Sequence, residues 1–221
     1  MAIAADRDLD VQTLVSDELA WTPEVDAAGI GVAVEDGTVT LSGEVDTYAE
    51  RLAAKHAALR VRGVRAVIDN LSVHPKTAMS VTETDIAREV ERALRASTNV
   101  PDTVKAEIDE HHVTLIGEVD WDYQRRAAAR AVHYLRGVHT VSNMITLASR
   151  PTAADTEERI KNAFVRNARL DASHIHASVT GSKVTLTGTA TSWAERRHAA
   201  HVAWASPHVT DVDNQITVRP L

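Results

Sequence analysis

Eleven histidines in a chain of 221 residues first raise metal chemistry. In His174-Ile175-His176 two imidazoles share one side of an alternating segment, and in His198-Ala199-Ala200-His201 two stand at i, i+3 on a helical one. Either pair can chelate, but a held zinc takes at least a third protein ligand, and neither pattern recurs in the chain. Ile175 reads as a core residue, which turns both flanking rings to solvent. These histidines read as solvated surface groups, and no metal is expected.

The signatures of serine hydrolases, P-loop nucleotide enzymes and zinc peptidases are absent from the sequence. Gly29-Ile30-Gly31 is a fragment of a dinucleotide fingerprint, but it enters an alternating segment where that fingerprint needs a helix. Glu44 and Glu118 recur at one position while Thr189 occupies the third instance, which speaks against a shared acid–base role. No catalytic residue, enzymatic activity or organic cofactor is expected.

A third constellation joins arginines to aromatic rings. Arg51, Arg125 and Arg196 recur at one place, Arg126 and Arg197 follow two of them, and Tyr48, Trp121, Tyr123 and Trp193 lie within the same turns. Rings with arginines at one helix end suit a lipid headgroup interface or a partner surface. Each basic group near an anionic membrane contributes about 1 kcal/mol, and copies in tandem add by avidity. In the plainer account each arginine stacks on its ring and pairs with a nearby carboxylate while the ring covers an edge, and that account takes precedence. Trp21 and Trp204 read as edge or inter-module packing.

These groups sit on a threefold internal repeat. Val39-Thr40-Leu41-Ser42-Gly43-Glu44-Val45 returns as Val113-Thr114-Leu115-Ile116-Gly117-Glu118-Val119 and as Val184-Thr185-Leu186-Thr187-Gly188-Thr189-Ala190. Positions equivalent to Val39, Thr40, Leu41, Gly43, Arg51, Ala54, Val64 and Val67 are identical in all three copies. Such a repeat means copies of one small unit. Upstream of each copy runs an apolar stripe at helical spacing: Val11, Val15 and Leu19; Ile86, Val90 and Leu94; Thr156, Ile160 and Phe164. Asp85 and Asp155 stand where helix N-caps are needed. Two alternating runs around a tight polar turn, such as Glu35-Asp36-Gly37, then predict a β-hairpin. The shared Gly43, Gly117 and Gly188 end it, where φ is positive or backbones approach closely.

Thr47-Tyr48-Ala49-Glu50 and Ser192-Trp193-Ala194-Glu195 then open a second helix as capping boxes. Its inner face is small, as in Ala54, Ala57, Ala58 and Val61, so the axis lies close to a sheet. A last strand closes each copy. The expected fold is α+β: three tandem αββαβ modules, each a three-stranded mixed sheet packed on two helices, over residues 1–75, 82–148 and 153–221. A unit of about 70 residues is marginal alone, so the modules are expected to lean on one another.

The module resembles the BON domain, named for bacterial OsmY and nodulation proteins. The resemblance rests on the Val-Thr-Leu-x-Gly strand end, the capping-box helix and the terminal Gly-Val-x-x-Val-x-Asn strand, and runs from about Asp8 to Val218. It implies a non-enzymatic, OsmY-like protein linked to osmotic or envelope stress, with phospholipid binding as the activity usually proposed. OsmY-like proteins are normally periplasmic, carry a signal peptide and have two copies.

Bulk properties bear on partners. Net charge is −7, which argues against a nucleic-acid partner and against strong adsorption to anionic membranes. Without cysteine there is no disulfide or thiolate chemistry. The first residues lack a basic and an apolar signal region, and no run reaches the roughly 18 apolar residues of a membrane span. A cytoplasmic setting is expected from the chain as written, and a periplasmic one from the family precedent. Two functional readings follow: contact with phospholipid or envelope components through the helix-start cluster, or a cytosolic scaffold for a protein partner or small ion. Exposed rings favour the first, and rings buried between modules favour the second.

Overall fold

The computed structural model describes residues 2–76, 81–149, 155–167, 170 and 174–219. The chain forms two compact units, residues 1–119 with 123–145 and residues 120–122 with 146–221. The first unit holds module 1 and most of module 2.

One topology appears three times. Module 1 comprises α1 (Ala2–Trp21), β1 (Ile30–Glu35), β2 (Thr38–Val45), α2 (Tyr48–Ala58) and β3 (Ala66–Val73). Module 2 comprises α3 (Glu83–Ala96), β4 (Lys105–Asp109), β5 (His112–Ile116), β6 (Glu118–Val119), α4 (Asp122–Val132), β7 (Thr140–Asn143) and β8 (Thr146–Leu147). Module 3 comprises α5 (Thr156–Arg166), β9 (Ile175–Thr180), β10 (Lys183–Ala190), α6 (Trp193–Trp204), β11 (Asp211–Asn214) and β12 (Thr217–Val218). In each, the Val-Thr-Leu strand is central, antiparallel to the strand before it and parallel to the one after the second helix. Val39 stands opposite Val67, Val113 opposite Val141 and Val184 opposite Val212. A parallel neighbour requires a crossover, and the second helix supplies it.

The alternation of the strands sends every second side chain inward. Val39 and Leu41, Val113 and Leu115, and Val184 and Leu186 are all fully buried. The first helix covers them with Val15 and Leu19, with Ile86, Val90 and Leu94, or with Thr156, Ile160 and Phe164. The second helix packs through Ala54, Ala57 and Ala58, through Ala127, Ala128 and Val132, or through Ala199 and Ala203. Ala131 and Leu135, at the same spacing in module 2, are only half-buried. Modules 1 and 3 each close a core of their own.

The repeated glycine has the same cause in all three copies. Gly43, Gly117 and Gly188 have φ of 121°, 129° and 115°, a region reserved for glycine. A Cβ there would also meet the carbonyl oxygen of Gly29, Thr103 or His174 at 2.1, 2.4 or 2.0 Å.

Three details depart from expectation. The third strand runs unbroken in module 1, but in modules 2 and 3 the ladder is interrupted: β6 and β8 form a separate pair, and β11 and β12 pair with β10 in turn. Thr82, not Asp85, caps α3; Asp85 is its capping-box partner, accepting from the Thr82 backbone. The Thr47 and Ser192 hydroxyls do accept from Glu50 N and Glu195 N, both at 3.1 Å. Their carboxylates, however, reach one residue further back than a capping box requires, to Asp46 N at 2.8 Å and Thr191 N at 2.7 Å.

Candidate interaction surface at the start of the second helix

The first turn of the second helix faces the last strand of its own module, and in modules 1 and 3 the recurring arginine is spent there. In module 1, Arg51 Nε donates to both carboxylate oxygens of Asp69 at 3.1 Å. The side chains retain 22% and 15% exposure, so the pair is largely withdrawn from water. In module 3, Arg196 Nε donates to Ile216 O at 2.9 Å and a terminal nitrogen donates to Asn214 O at 2.6 Å. The guanidinium also lies 5.3 Å from the centre of the Trp193 ring, within cation–π range.

The strand residue that receives the arginine is itself a repeated device. The side-chain oxygens of Asp69, Asn143 and Asn214 accept from the backbone two residues on, Leu71 N, Ile145 N and Ile216 N, at 3.3, 3.3 and 3.2 Å. The asparagines have an amide left to give. Asn143 donates to Arg125 O at 2.9 Å and Asn214 to Arg196 O at 3.1 Å. Aspartate has no such hydrogen, and in module 1 the guanidinium takes the place of that bond.

The capping glutamate makes a second tie. Glu50, 8% exposed, accepts from Asp26 N at 2.7 Å as well as Asp46 N, fastening the entry to β1 onto the start of α2. Two acids on first helices grip hairpin turns. Asp8 accepts from Asp36 N and Gly37 N at 2.9 and 3.0 Å, and Glu83 accepts from Glu110 N at 2.9 Å. These ties join residues 24 to 29 positions apart, so no local motif announces them.

The aromatic candidates fall into different places. Tyr48 is half-buried in unit 1, its ring edge-on to His133 of module 2 with centroids 5.5 Å apart. Burial raises its pKa, against a bond to the Val141 backbone and the nearby Arg51 charge. Trp121 and Trp193 are half-buried, and Tyr123 is exposed. Arg125 and Arg126 are half-buried, while Arg197 is exposed. Trp204 is partly buried against the core of its own module. Trp21 does not pack: it stands 85% exposed at the last position of α1.

His174, His176 and His201 behave as surface groups, while His198 is half-buried with its Nε2 withdrawn from water. His174 and His176 are exposed on either side of buried Ile175. The His198 and His201 rings lie 6.1 Å apart. Among the described residues, no group of three or more His, Asp or Glu could hold a metal ion. Module 2 carries a groove of about 300 Å³ between α3 and β4, floored by Val90, Leu94 and Val104. At its rim Arg95 is paired with Glu91 at 2.7 Å, both side chains being exposed.

The family model of the BON domain matches residues 7–75, 82–149 and 152–220, and the chain belongs to that family, as three tandem BON domains. No curated protein matches it. Two solved structures of CdsD, a structural protein of the type III secretion system of Chlamydia trachomatis, align at 13% identity. One, of the C-terminal domain, covers 96% of this chain and 98% of its own with a TM-score of 0.27. The other covers 96% and 93% with a TM-score of 0.28. At those scores the likeness carries no structural argument. No helix among the described residues is long and apolar enough to cross a membrane.

Proposed function

We propose that the chain is a non-enzymatic interaction scaffold, whose helix-start clusters first serve its own packing and whose remaining surface meets a protein partner. Tyr48 carries this reading. A ring free for a membrane would face water, and Tyr48 instead lies edge-on to a residue of the next module. The arginines support it as well, because Arg51 and Arg196 spend their donors inside their own modules. Osmotic or envelope stress, the setting implied by the family resemblance, is compatible with such a body.

A second reading, contact with phospholipid or another envelope component, is favoured by one observation. Tyr123 and Arg197 lie exposed at the start of the second helix in modules 2 and 3. On a chain of net charge −7, binding through so few groups would be salt-sensitive and would need both modules at once. Co-sedimentation at low salt with vesicles of anionic or neutral phospholipid separates the two readings. The scaffold reading expects the protein in the supernatant with both. Pelleting with anionic vesicles alone, lost in a Tyr123→Ala/Arg197→Ala chain, would replace it with the lipid reading.

A further inference from the structure

Modules 1 and 2 meet across an unusual density of imidazole. From module 1 come Tyr48 and His56 on α2, and His74 just beyond β3. From module 2 come His133 after α4, His111 in the β4–β5 turn and His139 before β7. His133 receives the Tyr48 ring edge-on. His111 and His139 stack at 4.1 Å with planes 17° apart. His111 Nδ1 lies 2.8 Å from Gly137 O, and the His139 backbone donates to His111 O at 2.9 Å.

Two of these rings, His133 and His139, are held toward the neutral form. The stack itself lies within module 2. His133 is held below the ordinary value of 6.5 by burial first, then by the charges of His56 and Arg130. His139 is lowered by burial, then by His111 and by His74 of module 1. The other charged groups at the joint are Arg51 and Asp69, paired with each other beside Tyr48, and Glu44. Glu44 lies 3.7 Å from His74, in an exposed pair at the rim. A histidine whose pKa is depressed by the joint leaves the joint's stability whole above the free value. That stability is lost as pH falls below about 6.5, because the separated form takes up the proton more readily.

We propose that the interface between the first two modules is a pH-operated joint, in which protonation of His133 and His139 releases module 1 from module 2 while each module keeps its fold. A core closed within module 1 permits this: Val15, Leu19 and Leu41 are buried by partners of their own module. A scaffold holding a partner across both modules would then let go on mild acidification, with no hydrolysis or ligand required.

The chain lacks cysteine, so a dye pair can be placed at will. With Glu24→Cys in module 1 and Glu107→Cys in module 2, both exposed, energy transfer reports the joint in the full chain. Transfer is expected to fall between pH 7.5 and pH 5.5 at unchanged far-UV circular dichroism. The same pair carrying His133→Gln and His139→Gln is expected to stay level. A flat profile in the parent, or an undiminished fall in the double variant, overturns the proposal. Should the double variant already read low at pH 7.5, His111→Gln alone decides. A smaller fall than the parent's supports the joint, and an identical one removes it.

Discussion

Modules 1 and 3 put the same arginine on the same helical turn and anchor it by different bonds. Arg51 grips the Asp69 carboxylate, whereas Arg196 grips the carbonyls of Asn214 and Ile216. One atom of the partner decides which. Asparagine donates its amide to the arginine's own carbonyl and leaves the guanidinium to find backbone, as Asn214 does. Aspartate can only accept, and it draws the guanidinium onto itself. A residue repeated three times thus points to a repeated place in the fold, and its partner follows from the neighbour it meets.

The sharpest tests of this equivalence are also the most damaging. Gly43→Ala and Gly188→Ala each place a Cβ about 2 Å from a carbonyl oxygen at φ above 100°. Each is expected to cost about 3 kcal/mol or more, measured by urea unfolding. If either is benign, the two strand ends are not equivalent. Next come Arg51→Ala and Arg196→Ala. The first leaves a mostly buried carboxylate unpaired, and the second leaves two carbonyls without donors; about 2 kcal/mol is expected from each. These arginines therefore cannot be removed at no cost to the fold, contrary to a purely surface role.

Asp69→Asn separates the two anchoring modes more finely. The new amide can donate to Arg51 O, as Asn214 does to Arg196 O, and the chain should lose only about 1 kcal/mol. In a double-mutant cycle, Arg51→Ala should cost less in the Asp69→Asn background than in the parent, because the amide holds the guanidinium less firmly than the carboxylate. The smallest effects belong to Tyr123→Ala and Arg197→Ala. Both side chains are exposed, and unfolding free energies should stay within about 0.5 kcal/mol of the parent. A larger loss at Arg197 would assign it a structural tie like that of Arg196.

Much of this architecture was legible because its causes are local. The alternation of Val39 and Leu41 and the Ala54-Ala57-Ala58 face declare strand and helix within a few residues. The glycine position announces its strain by allowing no other residue in three copies. The ties from Asp8 to the hairpin turn and from Glu50 to Asp26 were not legible, since the partners come together only when the module folds. Trp21 misled for a related reason. A large apolar ring is usually covered, yet α1 carries it to 85% exposure at its last residue. For the candidate surface, the sequence brought rings and arginines to one helix end. It could not say that Tyr48 faces another module while Tyr123 faces water, because that depends on how modules 1 and 2 pack. The histidines of that joint were legible only as an excess, scattered from His56 to His139.

The central claim is that the helix-start arginine holds the last strand of its own module. Native-state hydrogen exchange on the full chain tests it directly, read at Leu71 N in module 1 and Ile216 N in module 3. Arg51→Ala should speed exchange at Leu71 and its strand neighbours and leave Ile216 at its parental rate, and Arg196→Ala should do the reverse. Unchanged protection of the strand in both variants would contradict the account and return the arginines to the surface.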